Sequence, residues 1–327
     1  MGGLPRALIA HAPTRLDFGG GWTDVPPYCD EEGSAVCNVA ISRYATATVA
    51  TNGQATAPPG SDEPLVRAAL RRGGIRGTTA GVTSDFPIGS GLGGSAAAGV
   101  ALAGALAALR GETLERGALA ELSRRTEVEE LGIPGGFQDH YAAAYGGALL
   151  LTYAGCVGVE VLSLSDATSD ALARRGVLVY TGVSRISAST ITAVSEAYRA
   201  RDRDVCAALA RMKVLAGEMA TSLRGGDLDA LGEQIGEHWV HQRALHPTIT
   251  TDRIEAIGRA AVRAGALGMK ALGASAGGCV LVLARDGREE ELARALAPLG
   301  ERLTYSVDRG GFQVLAVMDQ YGETDDA

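Results

Sequence analysis

A glycine-rich segment, residues 87–96, has the composition of a loop that binds phosphate. It reads Pro-Ile-Gly-Ser-Gly-Leu-Gly-Gly-Ser-Ala and leads directly into an alanine-rich stretch of helical character. Glycine lets the backbone approach an anion closely, and the N–H groups and dipole at the start of a helix attract negative charge. The hydroxyl of Ser95, where that helix begins, is placed to reach a phosphate-bound Mg²⁺ ion. The segment therefore predicts a phosphate site.

Two other glycine motifs compete with this interpretation. A Walker loop requires Gly-Lys before its Ser or Thr, and Gly94 stands before Ser95, so a Walker site is excluded. Gly89, Gly91 and Gly94 satisfy the Gly-x-Gly-x-x-Gly pattern, but residues 85–87 (Asp-Phe-Pro) interrupt the strand that a dinucleotide site needs. That site and a purely structural turn stay open as alternatives, because short glycine patterns also match by chance.

Three aspartates lie next to glycine-rich segments and are candidates for substrate chemistry. Asp139 follows a glycine loop, lies beside Gln138 among small side chains, and is the candidate general base; the alternative is an N-cap of the following helix. Asp17 and Asp24 flank the first run of three glycines. Asp24 with Thr23 could hold sugar hydroxyls, and the alternative is a loop aspartate bonded to its own backbone.

Other charged side chains could assist. Arg15, at the end of a predicted strand, could lower the pKa of a base or stabilise a transferred phosphoryl group; the alternative is an exposed strand arginine. Glu127, Glu129 and Glu130 crowd the end of a predicted helix, where the dipole disfavours negative charge. At least one is therefore expected to have a partner such as Mg²⁺, the alternative being simple solvent exposure.

Two further features are less specific. His238, His241 and His246 share one helical region, and a zinc site there would need another ligand, so a polar helix face near the cleft is the favoured interpretation. Residues 273–278 read Gly-Ala-Ser-Ala-Gly-Gly and precede an apolar strand. They could approach a nucleotide or form only a tight turn.

Composition limits the class of protein. The 327 residues are 46% hydrophobic, enough for a substantial core. A net charge of −8, without a clustered basic stripe, argues against nucleic acid as the partner. The five cysteines contain no Cys-x-x-Cys pattern and fit a reducing compartment. No signal-peptide pattern or membrane-spanning apolar run is seen, so we expect a cytoplasmic protein without a membrane partner.

Apolar patterns predict the elements that position these groups. Strands are predicted at 7–18, 36–50, 78–83, 148–152, 177–182, 279–284, 303–307 and 313–317, and helices at 95–110, 114–131, 138–145, 188–201, 205–223, 229–244, 253–264 and 289–299. The helix at 95–110 is apolar on every face and is expected to be buried. Loop-like composition at 165–176 predicts a boundary between domains 1–170 and 171–327. The tail, 322–327, is expected to be disordered.

Three segments, in order, resemble the three motifs of the GHMP small-molecule kinases. They are residues 12–24, with Ala-Pro, Arg15 and Gly-Gly-Gly-Trp-Thr-Asp; residues 87–96, with Pro-x-x-x-Gly-Leu-Gly-x-Ser-Ala; and residues 273–279. Residues 135–147 resemble the catalytic segment of the sugar-kinase branch. The resemblance implies an α+β fold of two domains, the first similar to ribosomal protein S-five domain two and the second ferredoxin-like, with ATP and substrate between them.

The resemblance also implies roles for single residues. Asp139 matches the base that takes the sugar hydroxyl proton, Arg15 the basic residue near the transferred phosphate, and Ser95 and Glu127 the Mg²⁺ ligands. The implied binding residues are Pro87, Gly89, Ser90, Gly91, Leu92, Gly93, Gly94, Ser95 and Ala96 for the nucleotide, Gly20, Gly21, Thr23, Asp24 and Gln138 for the substrate, and Gly273, Ser275, Gly277 and Gly278 for the third-motif side of the cleft.

Within the family, the chain most resembles the D-glycero-D-manno-heptose 7-phosphate kinases and next the L-fucokinases. Residues 181–185 and 238–247 also resemble the heptose branch, although Phe137 stands where that branch has lysine. The resemblance implies an ATP- and Mg²⁺-dependent kinase for the anomeric hydroxyl of a sugar or sugar phosphate, best heptose 7-phosphate. A kinase for L-fucose, galactose or a cyclitol is an alternative, as is a non-catalytic sugar- or nucleotide-binding protein. We expect a monomer or homodimer.

Overall fold

The computed structural model describes residues 7–51, 63–133, 135–183 and 188–318. Its N-terminal half combines strands and helices, with the two longest strands near its start. The strands are β1 (Ala7–Gly19), β2 (Ser34–Thr51), β3 (Thr78–Ser84), β4 (Ala148–Tyr153) and β5 (Val157–Leu162), and the helices are α1 (Tyr28–Glu32), α2 (Glu63–Gly73), α3 (Gly94–Leu109), α4 (Arg116–Arg125) and α5 (Gln138–Tyr145).

The C-terminal half contains most of the long helices. Its helices are α6 (Asp166–Arg175), α7 (Ala188–Arg199), α8 (Arg203–Gly225), α9 (Leu228–Ala244), α10 (Asp252–Arg263) and α11 (Glu289–Leu296), and its strands are β6 (Gly176–Tyr180), β7 (Gly268–Ala271), β8 (Cys279–Leu283), β9 (Glu301–Leu303) and β10 (Gln313–Met318). Within the described part of the chain, no helix has the length and apolar character needed to cross a membrane.

The first sheet has the strand order β10-β1-β2-β4-β5, and all its pairs are antiparallel. Strand β2 has 18 residues and is long enough to pair with β4 through its first half and with β3 through its second. Strand β10 returns from the end of the chain to pair with β1. The boundary between two domains at residue 170 stays a prediction. Strand β10 follows that boundary in the sequence but belongs to the first sheet.

The second sheet has the order β7-β8-β6-β9 and is also antiparallel throughout. The chain runs from β6 through four helices to the β7–β8 pair, and then through α11 to β9. This is the strand–helix–strand–strand–helix–strand arrangement of ferredoxin-like domains. Strand β7 was not predicted, because its four residues are too few to show an alternating pattern.

Helix α3 runs through the interior of the N-terminal half, as its uniformly apolar sequence predicts. Small residues let neighbouring elements approach it closely: Gly99 faces Ser123, and Gly104 faces the ring of Phe312. Its N-terminus therefore has a fixed position relative to the loop that precedes it.

Three local predictions differ from the structure. The strand predicted at 303–307 is instead β9, Glu301–Leu303. Residues predicted as a loop at the domain boundary form α6, whose N-cap Ser165 accepts a hydrogen bond from the N–H of Thr168 at 3.0 Å. The helix predicted over 114–131 ends at Arg125 and continues as a π-helical turn, Thr126–Glu130. The tail at 322–327 lies outside the described residues.

Candidate active site

Arg15 and Asp139 form an ion pair between β1 and the first turn of α5. Arg15 Nε donates to Asp139 Oδ1 at 2.7 Å, and Nη1 donates to the carbonyl of Gly91 at 2.7 Å. The Arg15 side chain is 3% exposed, whereas that of Asp139 is 30% exposed. Phe137, and not Asp139, occupies the N-cap position of α5. Asp139 is thus a partly exposed carboxylate held by a buried arginine, and Arg15 lies within its strand instead of at the end.

Residues 87–96, here called the 87–96 loop, form a loop over 87–93 whose shape depends on glycine, followed by the first residues of α3. Gly89, Gly91 and Gly93 have φ angles of 72°, 75° and 78°, which side chains disfavour. A Cβ atom on Gly91 would lie 2.6 Å from the carbonyl oxygen of Leu272, and one on Gly93 would lie 3.0 Å from Asp139 Cγ. Helix α3 begins at Gly94, so the free N–H groups and the dipole at its N-terminus favour binding of an anion beside the loop.

A cavity of about 540 Å³, here called the loop cavity, opens along this segment. From the loop it is lined by Gly89, Ser90, Gly91, Gly93, Gly94, Ser95 and Ala96, and its apolar wall includes Ala45, Val82, Phe86 and Ile88. Pro87 and Leu92 do not line it. The Pro87 carbonyl accepts from the N–H of Ser90, and the buried Leu92 accepts from the N–H of Arg15, so both shape the loop from behind.

A second cavity of about 250 Å³, here called the aspartate cavity, contains most of the predicted substrate residues. Its lining includes Arg15, Asp17, Gly21, Trp22, Asp24, Gln138 and Gly273. Both cavities are lined by Gly91, Gly93, Glu127 and Asp139. Two molecules, one in each cavity, would therefore meet at Asp139.

Glu127 lies in the π-helical turn and faces the loop cavity. Ser95 Oγ donates to Glu127 Oε1 at 2.6 Å, and His140 Nε2 lies 3.1 Å from Glu127 Oε2. Burial acts to raise the pKa of Glu127, but the contacts with His140 and Ser95 outweigh it and hold the pKa below its usual range. Glu129 and Glu130 instead pair with arginines of α2. Of the three glutamates, only Glu127 lines the cavities.

Comparison with known proteins identifies the family. Residues 64–147 match the family described as GHMP kinases N terminal domain, and residues 219–300 match GHMP kinases C terminal. The chain belongs to the GHMP kinase family. The two matches contain the 87–96 loop, Asp139 and the third glycine motif, and the segment 12–24 lies outside them.

Several relatives are similar over most of the kinase. A D-glycero-alpha-D-manno-heptose 7-phosphate kinase of Campylobacter jejuni is 28% identical over 320 residues, covering 89% of this chain and 93% of that protein. A galactokinase of Mycobacterium bovis is 32% identical over 256 residues, covering 69% and 70%. The crystal structure of a D-glycero-D-manno-heptose 1-phosphate kinase from Bacteroides thetaiotaomicron has a TM-score of 0.75 at 23% identity, covering 95% and 100%.

These likenesses confirm two predictions. The kinase has the two-domain GHMP fold of mixed helix and strand content, and it is an ATP-dependent phosphotransferase. Its family thus implies that the nucleotide is ATP.

Asp24 is the most deeply buried carboxylate of the aspartate cavity. It is 2% exposed, and its Oδ2 accepts a hydrogen bond from the N–H of Gln138 at 3.1 Å. Burial raises its pKa from 3.8 to about 7, and the charges of Asp139 and Asp17 act in the same direction. Near neutral pH this group can therefore either accept or donate a hydrogen bond, which suits recognition of a hydroxyl.

Gly20 and Thr23 shape the loop that carries Asp24 and do not line the cavity. Thr23 is fully buried, and its hydroxyl donates to the carbonyl of Gly20 at 2.6 Å. The N–H of Gly20 donates to His238 Nε2 at 3.0 Å. Trp22, which sequence analysis left without a role, lines the cavity in their place. The sequence signal for this role was a tryptophan that directly follows a run of three glycines.

His238 is wrongly predicted to lie on a polar helix face. It is fully buried on α9, and burial lowers its pKa well below 6.5, so the ring is neutral and accepts from Gly20. His246 accepts from the N–H of Thr248 and caps a short 3-10 turn. Within the described ranges no three potential metal ligands of the His, Cys, Asp and Glu types cluster, so the zinc alternative finds no support.

The third motif, residues 273–278, packs behind the 87–96 loop. Gly273 lines the aspartate cavity, and a Cβ on it would lie 3.1 Å from the Cα of Gly91. The Ser275 hydroxyl contacts Gln242 Nε2 at 3.0 Å. Gly277 and Gly278 pack against the backbone around Val183, and the adjacent segment 184–187 lies outside the described residues. The motif supports the loop and does not line the loop cavity.

A buried ion pair completes the site. Lys270 Nζ, on β7, lies 2.9 Å from Asp17 Oδ2, on β1, and the two side chains are 0% and 4% exposed. Burial lowers the pKa of Lys270, and the carboxylate opposes that effect. Sequence analysis gave Lys270 no role. The available signal was a lysine, one of only two in the chain, within an apolar segment.

Proposed function

We propose that the protein is an ATP- and Mg²⁺-dependent kinase that phosphorylates a hydroxyl of a sugar or sugar phosphate. The observation that carries the proposal is the meeting of the two cavities at Asp139. The loop cavity offers glycine N–H groups and a helix N-terminus to the phosphates of ATP. The aspartate cavity offers carboxylate and amide groups to the hydroxyls of an acceptor.

Asp139 acts as the general base of this reaction. The acceptor hydroxyl attacks the γ-phosphorus, its proton passes to the Asp139 carboxylate, and the bond from the γ-phosphorus to the bridging oxygen of ADP breaks. Arg15 holds the carboxylate through Oδ1 and adds positive charge beside the transferred phosphoryl group. Catalysis is then mainly positioning and electrostatics, because both reactants are held on rigid elements.

Ser95 and Glu127 would hold Mg²⁺. Their oxygens are 2.6 Å apart at the edge of the loop cavity, and Mg²⁺ commonly takes one or two protein oxygens together with phosphate oxygens and water. Bound there, the ion would supply charge neutralisation for the β- and γ-phosphates. His140 holds the second oxygen of Glu127, so the carboxylate keeps its orientation.

Our first candidate acceptor is D-glycero-D-manno-heptose 7-phosphate, phosphorylated at its anomeric hydroxyl. The similarity to the Campylobacter jejuni kinase over 89% of the chain supports it. Galactose is the second candidate, because the Mycobacterium bovis relative is a galactokinase. L-Fucose and cyclitols complete the set of acceptors to be tested.

The setting of the reaction is part of the proposal. We place the protein in the cytoplasm as a monomer or homodimer, acting on small molecules and on neither nucleic acid nor membranes. All five cysteines are unpaired, which supports a reducing compartment. The net charge of −8 disfavours nucleic acid as a partner.

ADP release with Mg-ATP tests the proposal, using heptose 7-phosphate, free heptose, galactose, L-fucose, mannose and cyclitols as acceptors. One strong acceptor establishes the kinase and names its substrate. Asp139→Asn should abolish turnover and leave ATP binding measurable. Asp286→Asn is the matched control, because it breaks an Asp–Arg ion pair on the surface. Turnover retained by Asp139→Asn would contradict the role of the base, and ATP binding without any turnover would favour the non-catalytic alternative.

A further inference from the structure

Asp17 presents an unsatisfied carboxylate oxygen beside the aspartate cavity. Its Oδ2 is held by Lys270 Nζ at 2.9 Å, whereas Oδ1 is buried and has no hydrogen-bond partner in the described part of the chain. A buried carboxylate oxygen without a donor is costly, because the group has lost water and gained nothing in return. Asp17 is nevertheless a lining residue of the cavity. The missing donor is thus expected on a molecule that binds there.

The residue at position 21 keeps this carboxylate at the cavity wall. Any Cβ on Gly21 would clash with Asp17 Oδ2 and would come within 3.0 Å of Gln138 Nε2. A side chain there would therefore push the carboxylate aside or cover it. Gly21 lines the same cavity. Glycine at this position leaves the carboxylate and the Gln138 amide side by side at the wall.

Two neighbouring polar atoms also lack a hydrogen-bond partner among the described residues. Gln138 Oε1 and Trp22 Nε1 are buried, belong to lining residues of the same cavity, and have no partner among the described residues. Trp22 Nε1 is a donor, whereas Gln138 Oε1 is an acceptor. Together with Asp17 Oδ1 they form a set that hydroxyl groups satisfy well, because a hydroxyl both donates and accepts.

Lys270 fixes how Asp17 is presented. It comes from the second sheet, is completely buried, and holds one carboxylate oxygen, so the other oxygen has a defined direction. A buried pair of this kind also resists replacement of one partner alone, because the remaining charge would be left uncompensated. If the Asp17–Lys270 pair had only a structural role, nothing would explain why Asp17 Oδ1 lacks a hydrogen-bond donor beside a cavity.

We propose that Asp17, oriented by Lys270, is a specificity-determining residue that accepts a hydrogen bond from one hydroxyl of the acceptor sugar. The inference rests on the proposed function and names a further contact within that site. Asp17 binds the acceptor at a hydroxyl other than the one that is phosphorylated, since Asp139 serves the latter.

Asp17→Asn is the informative variant. The amide oxygen can still accept from Lys270, while the amide nitrogen replaces the Oδ1 acceptor with a donor. We expect the KM of the acceptor to rise about 10-fold or more, the loss typical of a charged hydrogen bond, with the KM of ATP unchanged. Asp286→Asn, on the surface, is the control. If Asp17→Asn fails to fold, the double variant D17N/K270M, which removes both charges, replaces it.

Deoxy acceptors separate recognition from structural support. Wild-type enzyme should lose about 10-fold in kcat/KM on the one deoxy compound that lacks the bound hydroxyl, and Asp17→Asn should show no further loss on that compound. A purely structural pair predicts instead a lower melting temperature with equal losses on every compound. That pattern, or an acceptor KM within twofold of wild type, overturns the proposal.

Acceptor binding is measured separately from turnover. Trp22 fluorescence in a Trp239→Phe background reports occupancy of the aspartate cavity, because these are the two tryptophans of the chain. Binding without turnover, weakened in Asp17→Asn, supports this inference and contradicts the proposed function. Binding that Asp17→Asn leaves unchanged overturns the inference alone, and the absence of any binding or turnover overturns both.

Discussion

Replacing Asp24 by Asn should stabilise the protein and weaken its activity at the same time. Asp24 is fully buried, and its folded-state pKa is raised from 3.8 to about 7, chiefly by burial. A raised carboxyl pKa means that the folded state binds more protons than the unfolded state between these two values. The wild-type protein therefore loses stability as the pH rises from about 4 to about 7, and the loss is complete above pH 7.

The size of the effect follows from the shift. Each pKa unit corresponds to about 1.4 kcal/mol, so the raised pKa of Asp24 costs the folded protein about 4 kcal/mol of stability above pH 7 and about 2 kcal/mol at pH 5. Asp24→Asn removes this cost, and its amide oxygen can still accept from the N–H of Gln138. The stability advantage of the variant over wild type should therefore increase by about 2 to 3 kcal/mol from pH 5 to pH 8.

Urea unfolding of both proteins at pH 5 and pH 8 measures this difference. Asp30→Asn, an exposed position on α1, reports the general effect of removing one negative charge. A stability difference between Asp24→Asn and wild type that is the same at both pH values would refute the reasoning, because an amide cannot titrate. The acceptor KM of Asp24→Asn should rise about 10-fold, since the amide replaces a group that can lose its proton.

Three further predictions concern other contacts. Arg15→Met should lower kcat about 100-fold or more while ATP binding is retained. Arg15→Lys should recover only part of the lost kcat, because lysine cannot form the two-pronged contact of a guanidinium group. Steady-state kinetics measures both, and a kcat of Arg15→Met equal to that of wild type would refute the prediction. Gly91→Ala should weaken ATP binding at least about 10-fold by calorimetry, whereas Gly74→Ala, with a similar φ but open space, should only cost about 1 kcal/mol of stability. His238→Leu should lower the free energy of unfolding by about 1 to 3 kcal/mol, because the Gly20 N–H loses its acceptor, and His238→Gln should recover most of it.

The local parts of the site could be predicted from the sequence. Glycine spacing in residues 87–96 predicts a close approach of backbone to an anion, and three of these glycines adopt the left-handed φ angles that favour glycine. The buried helix α3 follows from its uniform apolarity. The aspartate after the second glycine loop could be picked out by residue type, because few other groups serve as a base near neutral pH.

The contacts between distant residues could not be predicted. Asp17 and Lys270 are 253 positions apart, and Gly20 and His238 are 218 apart, so neither pairing leaves a periodic trace in the sequence. The spacing of His238 and His241 on one helix predicts a polar face, whereas tertiary packing buries His238 and uses its Nε2 as a hydrogen-bond acceptor. The π-helical turn that carries Glu127 is also invisible to a helical pattern, since it inserts into an otherwise continuous helix.

One helix sets the distance between the two halves of the site. His238 and Gln242 are four residues apart on α9 and therefore face the same side. The first accepts from the N–H of Gly20, next to the loop that carries Asp24, and the second donates towards the Gly273 carbonyl and Ser275 hydroxyl of the third motif. The N–H of Cys279, the residue that follows this motif, donates in turn to the carbonyl of Ser90 in the 87–96 loop. Because each link joins a loop to a rigid element, the two loops are held in one fixed geometry relative to each other, which is what the proposed transfer, dependent on positioning, requires.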